Sequence, residues 1–189
     1  MSVVLVTPPL LTAISLEEAR QHCHVDHGHE DEYLEGLLRK ATALVEGRLD
    51  QQLITATRRW TLDRFPARVL KVPYGPLRSV TSIEYTDEAG ETQTLEEYQV
   101  DADSQPGRIA PEYEQSWPST RGVLAAVRIT YQCGYGDEPA DVPETIRHAL
   151  ALLVAHWYRF REPASEGSVS SVPLSVDALL GLADYGRYP

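Results

Sequence analysis

Apolar and polar positions recur along this chain with changing periods, and the changes divide it. Ser15 and Glu18 have the spacing of a capping box for a short helix from Leu16 to about His24. After a polar break around Gly28, Leu34, Leu37, Leu38, Ala41, Leu44, Val45 and Leu49 recur at three and four. This spacing predicts a helix from Asp31 to about Leu49 with one buried stripe. From Ile54 the period becomes two. Ala56, Trp60 and Leu62 alternate with Thr57, Arg59, Thr61 and Asp63, and Val127, Ile129, Tyr131 and Cys133 alternate with Arg128, Thr130 and Gln132. Both runs read as half-buried strands. Shorter candidates lie between them: Val69–Val72, Thr81–Thr86, Glu91–Leu95 and Tyr98–Asp101, with Asp87 to Gly90 as a hairpin loop. Prolines at 66, 73, 76, 106, 111 and 118 imply short edge strands and loops.

From Pro143 to Glu162 the chain returns to helix. Pro143 stands where a missing N–H costs nothing, Glu144 faces the positive end of the dipole, and Arg159 and Arg161 face the negative end. Ala149 to Ala155 reads ALALLVA and leaves no polar stripe. A helix apolar all round is buried on every side, and a run this short cannot cross a bilayer, which needs about 20 residues. A neighbouring subunit is the expected cover for its second face. Glu162 to Pro173, rich in Ser, Gly and Pro, reads as a flexible loop. Ser175 can cap a last helix over Val176 to Ala183, before a tail carrying Tyr185 and Tyr188. The expected fold is α+β: N- and C-terminal helices packed as a small bundle, with a central antiparallel β unit inserted. The expected divisions are a helical part over 1–54, the β unit over 55–142, and a C-terminal part over 143–189 that forms one structural unit with 1–54.

Composition narrows the function. The 189 residues are 42% hydrophobic, which suits a globular chain with a real core. Lys and Arg number 17 against 28 Asp and Glu, a net charge of −11. That balance argues against gripping nucleic-acid phosphates, which takes Lys and Arg. It is compatible with a surface past which DNA slides. Cys23 and Cys133 are too few for a disulfide scaffold and suit a reducing compartment. The apolar start MSVVLVTPPLLTAIS has no basic n-region and is broken by Pro8 and Pro9, so it reads as neither signal peptide nor membrane anchor.

The sharpest candidate chemistry is HCHVDHGHE, which crowds His22, Cys23, His24, Asp26, His27 and His29 together. These side chains suit zinc or a similar metal. On a helix, however, His22, His24 and His27 fall on different sides, and no second Cys/His pair stands at finger-like distance. A polar helix end around an inward Val25 is the simpler reading, so no metal ligand, cofactor or catalytic residue is assigned. Cys133 precedes Gly134-Tyr135-Gly136, but its alternation puts the thiol on the apolar face. His148 and His156 read as core or interface histidines. The acidic pairs Glu17/Glu18 and Glu96/Glu97 and the Glu30–Glu32 triplet read as solvated faces or helix starts. Trp117 sits in a loop where it either anchors a protein interface or folds back on its own β unit. No enzyme emerges.

Taken in order, these residues carry a resemblance. Ile14-Ser15-Leu16-Glu17-Glu18-Ala19, Val25-Asp26 and the Glu30-Asp31 helix start lead to Pro76-Leu77-Arg78-Ser79-Val80-Thr81-Ser82-Ile83 and Tyr98-Gln99-Val100-Asp101. Pro106-Gly107-Arg108-Ile109, Ser116-Trp117-Pro118-Ser119-Thr120-Arg121 and Val127-Arg128-Ile129-Thr130-Tyr131 follow. Gly134-Tyr135-Gly136, Val142-Pro143-Glu144 and Ala155-His156-Trp157-Tyr158 complete the set. Over nearly its whole length the chain resembles the head–tail connector (adaptor) proteins of long-tailed phages, prophages and gene-transfer agents.

The resemblance implies a structural protein of the virion neck, assembled in the bacterial host cytoplasm, with no catalytic residues. It implies a twelvefold ring under the portal protein that extends the DNA channel and meets a downstream neck or tail protein. DNA would pass through the lumen without specific binding, and no membrane is involved. Within that picture, Leu174, Val176, Leu179, Leu180, Leu182, Tyr185 and Tyr188 are the expected portal-docking residues. Leu152, Trp157 and Trp117 are the expected intersubunit contacts. The alternatives are a small metal-binding protein or enzyme built on His22–His29, another neck component such as a stopper or tail-completion protein, and a host interaction module.

Overall fold

The computed structural model describes residues 2–161 and 174–183. It has the expected α+β architecture, with four helices packed together and antiparallel sheets inserted in sequence between the N- and C-terminal helical parts. The described residues form two compact units: 2–9 with 55–134, and 10–54 with 135–161 and 174–183.

The helical unit begins at α1 (Leu16–Cys23). Its capping box is formed: the Glu18 N–H donates to Ser15 Oγ at 3.1 Å and the Ser15 N–H to Glu18 Oε2 at 2.7 Å. These bonds satisfy two donors that a helix start leaves orphaned. His24 then turns into the left-handed region, φ 58°, and stops the helix. Next, α2 (Asp31–Leu49) buries Leu34, Leu37, Leu38, Ala41, Val45 and Leu49, the stripe its spacing predicts. The two are tied by Arg20, whose guanidinium forks onto the Asp31 carboxylate, with Nε to Oδ1 at 2.8 Å.

Helix α3 (Glu144–Arg159) is the hub of the unit, and α1, α2 and α4 (Leu174–Ala183) all pack on it. It buries one stripe, Ile146, Ala149, Leu150, Leu153 and Val154. Burial on every side is not what α3 shows within the subunit: Ala151, Leu152 and Ala155 are half-buried. Its neighbours flank the stripe and leave the opposite strip partly wet.

In the β unit, β1 (Ser2–Thr7), β2 (Ala56–Leu62), β8 (Val127–Cys133), β4 (Leu77–Thr86) and β5 (Thr92–Leu95) lie side by side in that order, all antiparallel. A second sheet orders β3 (Leu70–Lys71), β7 (Arg108–Pro111) and β6 (Tyr98–Asp101). Central β8 sets the register, with Trp60 and Ile83 on either side of Ile129. The alternation in β2 and β8 holds, and Ile129, Tyr131 and Cys133 are fully buried. One inward position of β2 is polar: Arg58 lies with its guanidinium 3.8 Å from the centre of the Tyr74 ring. The Asp87–Gly90 turn forms as expected, with Asp87 Oδ1 accepting the Gly90 and Glu91 N–H groups at 2.9 Å and Gly90 at φ 97°.

Three strands differ from the sequence reading. β1 has no polar alternation to mark it, and it forms because β2 offers an open edge. β4 starts earlier than expected, through bulges between Leu77 and Ser79 and between Val80 and Ser82 that break its period. β7 ends at Pro111 and pairs Ile109 with Val100 and Leu70.

Candidate functional site

The histidine-rich turn divides rather than converges. His22 meets His148 of α3 edge to face with ring centres 6.3 Å apart, while His27 and His29 face one another at 5.5 Å. Among the described residues no group of three or more His, Cys, Asp or Glu side chains is placed to hold a metal. Burial pushes the Cys23 thiol above its usual pKa, away from the thiolate that a metal would need. Cys133 lies on the inner face of β8 with its sulfur 3.8 Å from the Ala56 carbonyl oxygen.

The candidate contact residues fall on several surfaces. Trp117 stacks on Phe65, with ring centres 4.8 Å apart and planes 3° from parallel, and its Nε1–H donates to the Arg68 carbonyl at 2.8 Å. It is folded onto its own β unit. Leu152 and Trp157 are half-buried against the helical core. On α4 the candidates separate by face: Val176 and Leu180 are 0% and 1% exposed, Leu179 is half-buried, and Leu174 and Leu182 are 82% and 71% exposed. Asp177 tethers α4 to α2 through an ion pair with Arg48 at 2.5 Å. Tyr185 and Tyr188 lie outside the described residues, as does the loop expected over 162–173.

One cluster has no local signature in the sequence. At the end of α3, Tyr158 donates its hydroxyl to the Glu30 carboxylate, and Arg161 reaches the same carboxylate at 2.5 Å. The Arg161 guanidinium also lies 4.8 Å from the Tyr33 ring centre and 4.9 Å from that of Tyr158. These donors hold the Glu30 carboxyl below its usual pKa, the Tyr158 bond first and Arg161 second. The knot fixes where α3 ends relative to the start of α2. Only the facing of residues more than 120 positions apart creates it.

The arrangement is one of apolar contact surfaces and ion-paired helix ends. Apolar side chains stand out at Leu10 (98%) and Leu124 (85%) as well as on α4 and β1.

In solved structures the chain is similar to a chain from the neck of an empty GTA particle computed with C6 symmetry. Identity there is 25% and the TM-score 0.82, covering 100% of this chain and 98% of that one. A chain from the virion of a native gene transfer agent particle aligns at 26% identity and TM-score 0.81, with the same coverage. A chain from the neck of a native GTA particle computed with C12 symmetry shares the fold at 24% identity and TM-score 0.77. No curated protein matches. Residues 12–169 match the model of a family described as "Head completion protein". That match spans well over half of the sequence, and on it the chain belongs to the Head completion protein family.

Proposed function

We propose that this chain is a structural, non-catalytic component of a phage-like particle neck of the gene-transfer-agent type. In this reading it is a head–tail connector that forms a ring beneath the portal protein, continues the DNA channel and meets the next neck or tail protein. The observation that carries the reading is full-length similarity, at 25–26% identity, to chains of GTA particles, one of them described as neck. The net charge of −11 supports a lumen through which DNA passes without being held.

The faces of α4 refine the docking role. Val176 and Leu180 hold the helix on its own subunit, whereas Leu174 and Leu182 are free to meet a portal, with Tyr185 and Tyr188 following in sequence. Leu152 and Trp157 on α3, and Trp117 on the β unit, are candidates for contact with the next copy because each retains exposed surface. Deleting everything after residue 173 would also remove Val176 and Leu180 from the core. The cleaner test is therefore Leu174→Asp with Leu182→Asp in the full chain, used in pull-downs with the cognate portal protein. The expected result is lost capture with an unchanged melting temperature. Undiminished capture by this variant refutes α4 docking, and no capture of a portal by the parent chain refutes the connector reading.

A further inference from the structure

Strand β1 is an edge strand without the usual protections. Among the described residues it pairs on one side only, with β2, and the five-stranded sheet ends at β1 and at β5. An open edge is a row of unpaired N–H and C=O groups, which proteins blunt with charge, proline or cover. The strand reads Ser-Val-Val-Leu-Val-Thr, with no charged residue, and it leaves Val4, Leu5 and Val6 exposed at 54%, 42% and 43%. The apolar surface lies on both faces: Val4 is opposite Arg59 on the outer face, and Leu5 is opposite the inward Arg58. A bulge at Val6 is the one irregularity.

The other open edge has matching faces. In β5, Leu95 is opposite Ile83 and Gln93 opposite Tyr85, which places both on the inner face and Thr92 and Thr94 on the outer. A strand with the alternation of β1 laid beside β5 puts Val3 and Leu5 in the layer of Leu95, and Val4 among threonine methyls. Such β-branched neighbours are favourable cross-strand pairs.

We propose that β1 of one copy pairs with β5 of the next, so that the sheet continues from subunit to subunit around the ring. This inference rests on the ring reading above. A closed ring joins two different surfaces of each copy, and the sheet has two open edges of different sequence. Four antiparallel steps separate β1 from β5, so the two strands run in the same sense along the sheet. A twelvefold operator turns each copy by only about 30°, which keeps that sense from one copy to the next. The junction is therefore parallel. With strands along the ring axis, five per copy and about 4.8 Å apart, twelve copies close at a radius of about 45 Å, which leaves an open lumen.

The test uses the full chain in a Cys23→Ser background. Val4→Cys combined with Thr92→Cys, or with Thr94→Cys, sets one thiol on each edge and on the same face. Within one copy these positions are about 19 Å apart across the sheet, far beyond the roughly 7 Å that a disulfide tolerates. Any bond formed is therefore between copies. At high protein concentration in a glutathione redox buffer, one of the two pairs should build a ladder above the dimer on non-reducing gels. It should do so at least about tenfold faster than a control pair, Val4→Cys with Glu112→Cys. Native mass spectrometry of the same samples counts the subunits. Rings that form while both edge pairs lag at the control rate overturn the edge junction and leave the ring reading standing. A chain that neither associates nor forms a ladder, with the cognate portal protein absent or present, overturns both. Val4→Lys in the otherwise unaltered chain should melt like the parent yet lose association, and rings formed by this variant also overturn the junction.

Discussion

Replacing Leu180 with alanine tests whether α4 is part of the helical core or a passenger on it. The side chain is 1% exposed and sits beside Val176 at 0%. Burying a leucine and then truncating it costs about 2–5 kcal/mol, less where the surroundings can collapse into the space. Helix α4 has ten residues and packs chiefly on α3. It can shift to fill the gap, so the lower part of the range applies, about 2–3 kcal/mol. For a chain of this length each kcal/mol moves the melting midpoint by about 2–4 °C, and the expected drop is about 5–10 °C. Leu182→Ala removes the same atoms from a site 71% exposed, and its effect should stay within about 0.5 kcal/mol. Paired thermal melts by far-ultraviolet circular dichroism read the midpoints, and hydrogen exchange over α4 reads local release. If the two variants share both midpoint and α4 exchange, α4 is not docked as described and the division of its faces into holding and presenting is wrong.

Two further outcomes follow from the local geometry. Asp101 accepts from the Ser104 hydroxyl, the Arg108 guanidinium and the Ser104 N–H, which hold its carboxyl at about 2 against an ordinary 3.8. A depressed carboxyl stabilises the fold above its unfolded pKa and loses that contribution as pH falls through the folded one. The advantage of the parent chain over Asp101→Asn in urea midpoint should therefore shrink between about pH 4 and about pH 2, and a constant difference contradicts the assignment. Ser15→Ala removes the acceptor of the Glu18 N–H at 3.1 Å. It should cost about 1 kcal/mol, read as a drop of about 2–4 °C in the melting midpoint.

Much of this fold was legible from local pattern. The stripe in α2 and the alternation in β2 and β8 name their own buried faces, because side-chain direction follows the backbone period. The capping box at Ser15 and the Asp87–Gly90 turn are contacts between near neighbours, and both formed. The strands that escaped have no local period: β1 is apolar on both faces, β4 is interrupted by bulges, and β7 ends at a proline. The candidate site is less legible in the sequence. The leucines of α4 were visible as a group, but which of them hold the helix and which face outward depends on where α3 lies. The Glu30, Tyr158 and Arg161 knot was not visible at all, since its members lie at opposite ends of the helical unit's sequence.

Local pattern was enough for the helices, for strands β2 and β8 with their buried faces, for the acid-rich composition and for the resemblance to head–tail connectors, all of which rest on residues close in the chain or on their order. What covers each face depended on the packing of the whole chain. That packing paired His22 with His148 instead of gathering the histidines, turned Trp117 onto Phe65, and gave α3 one buried stripe where its composition promised burial all round. It also left β1 with an unpaired edge. Local periodicity states that a surface is apolar. Which surface meets it is settled by packing between segments far apart in the chain, where the gain from burial must exceed the entropy lost in bringing them together.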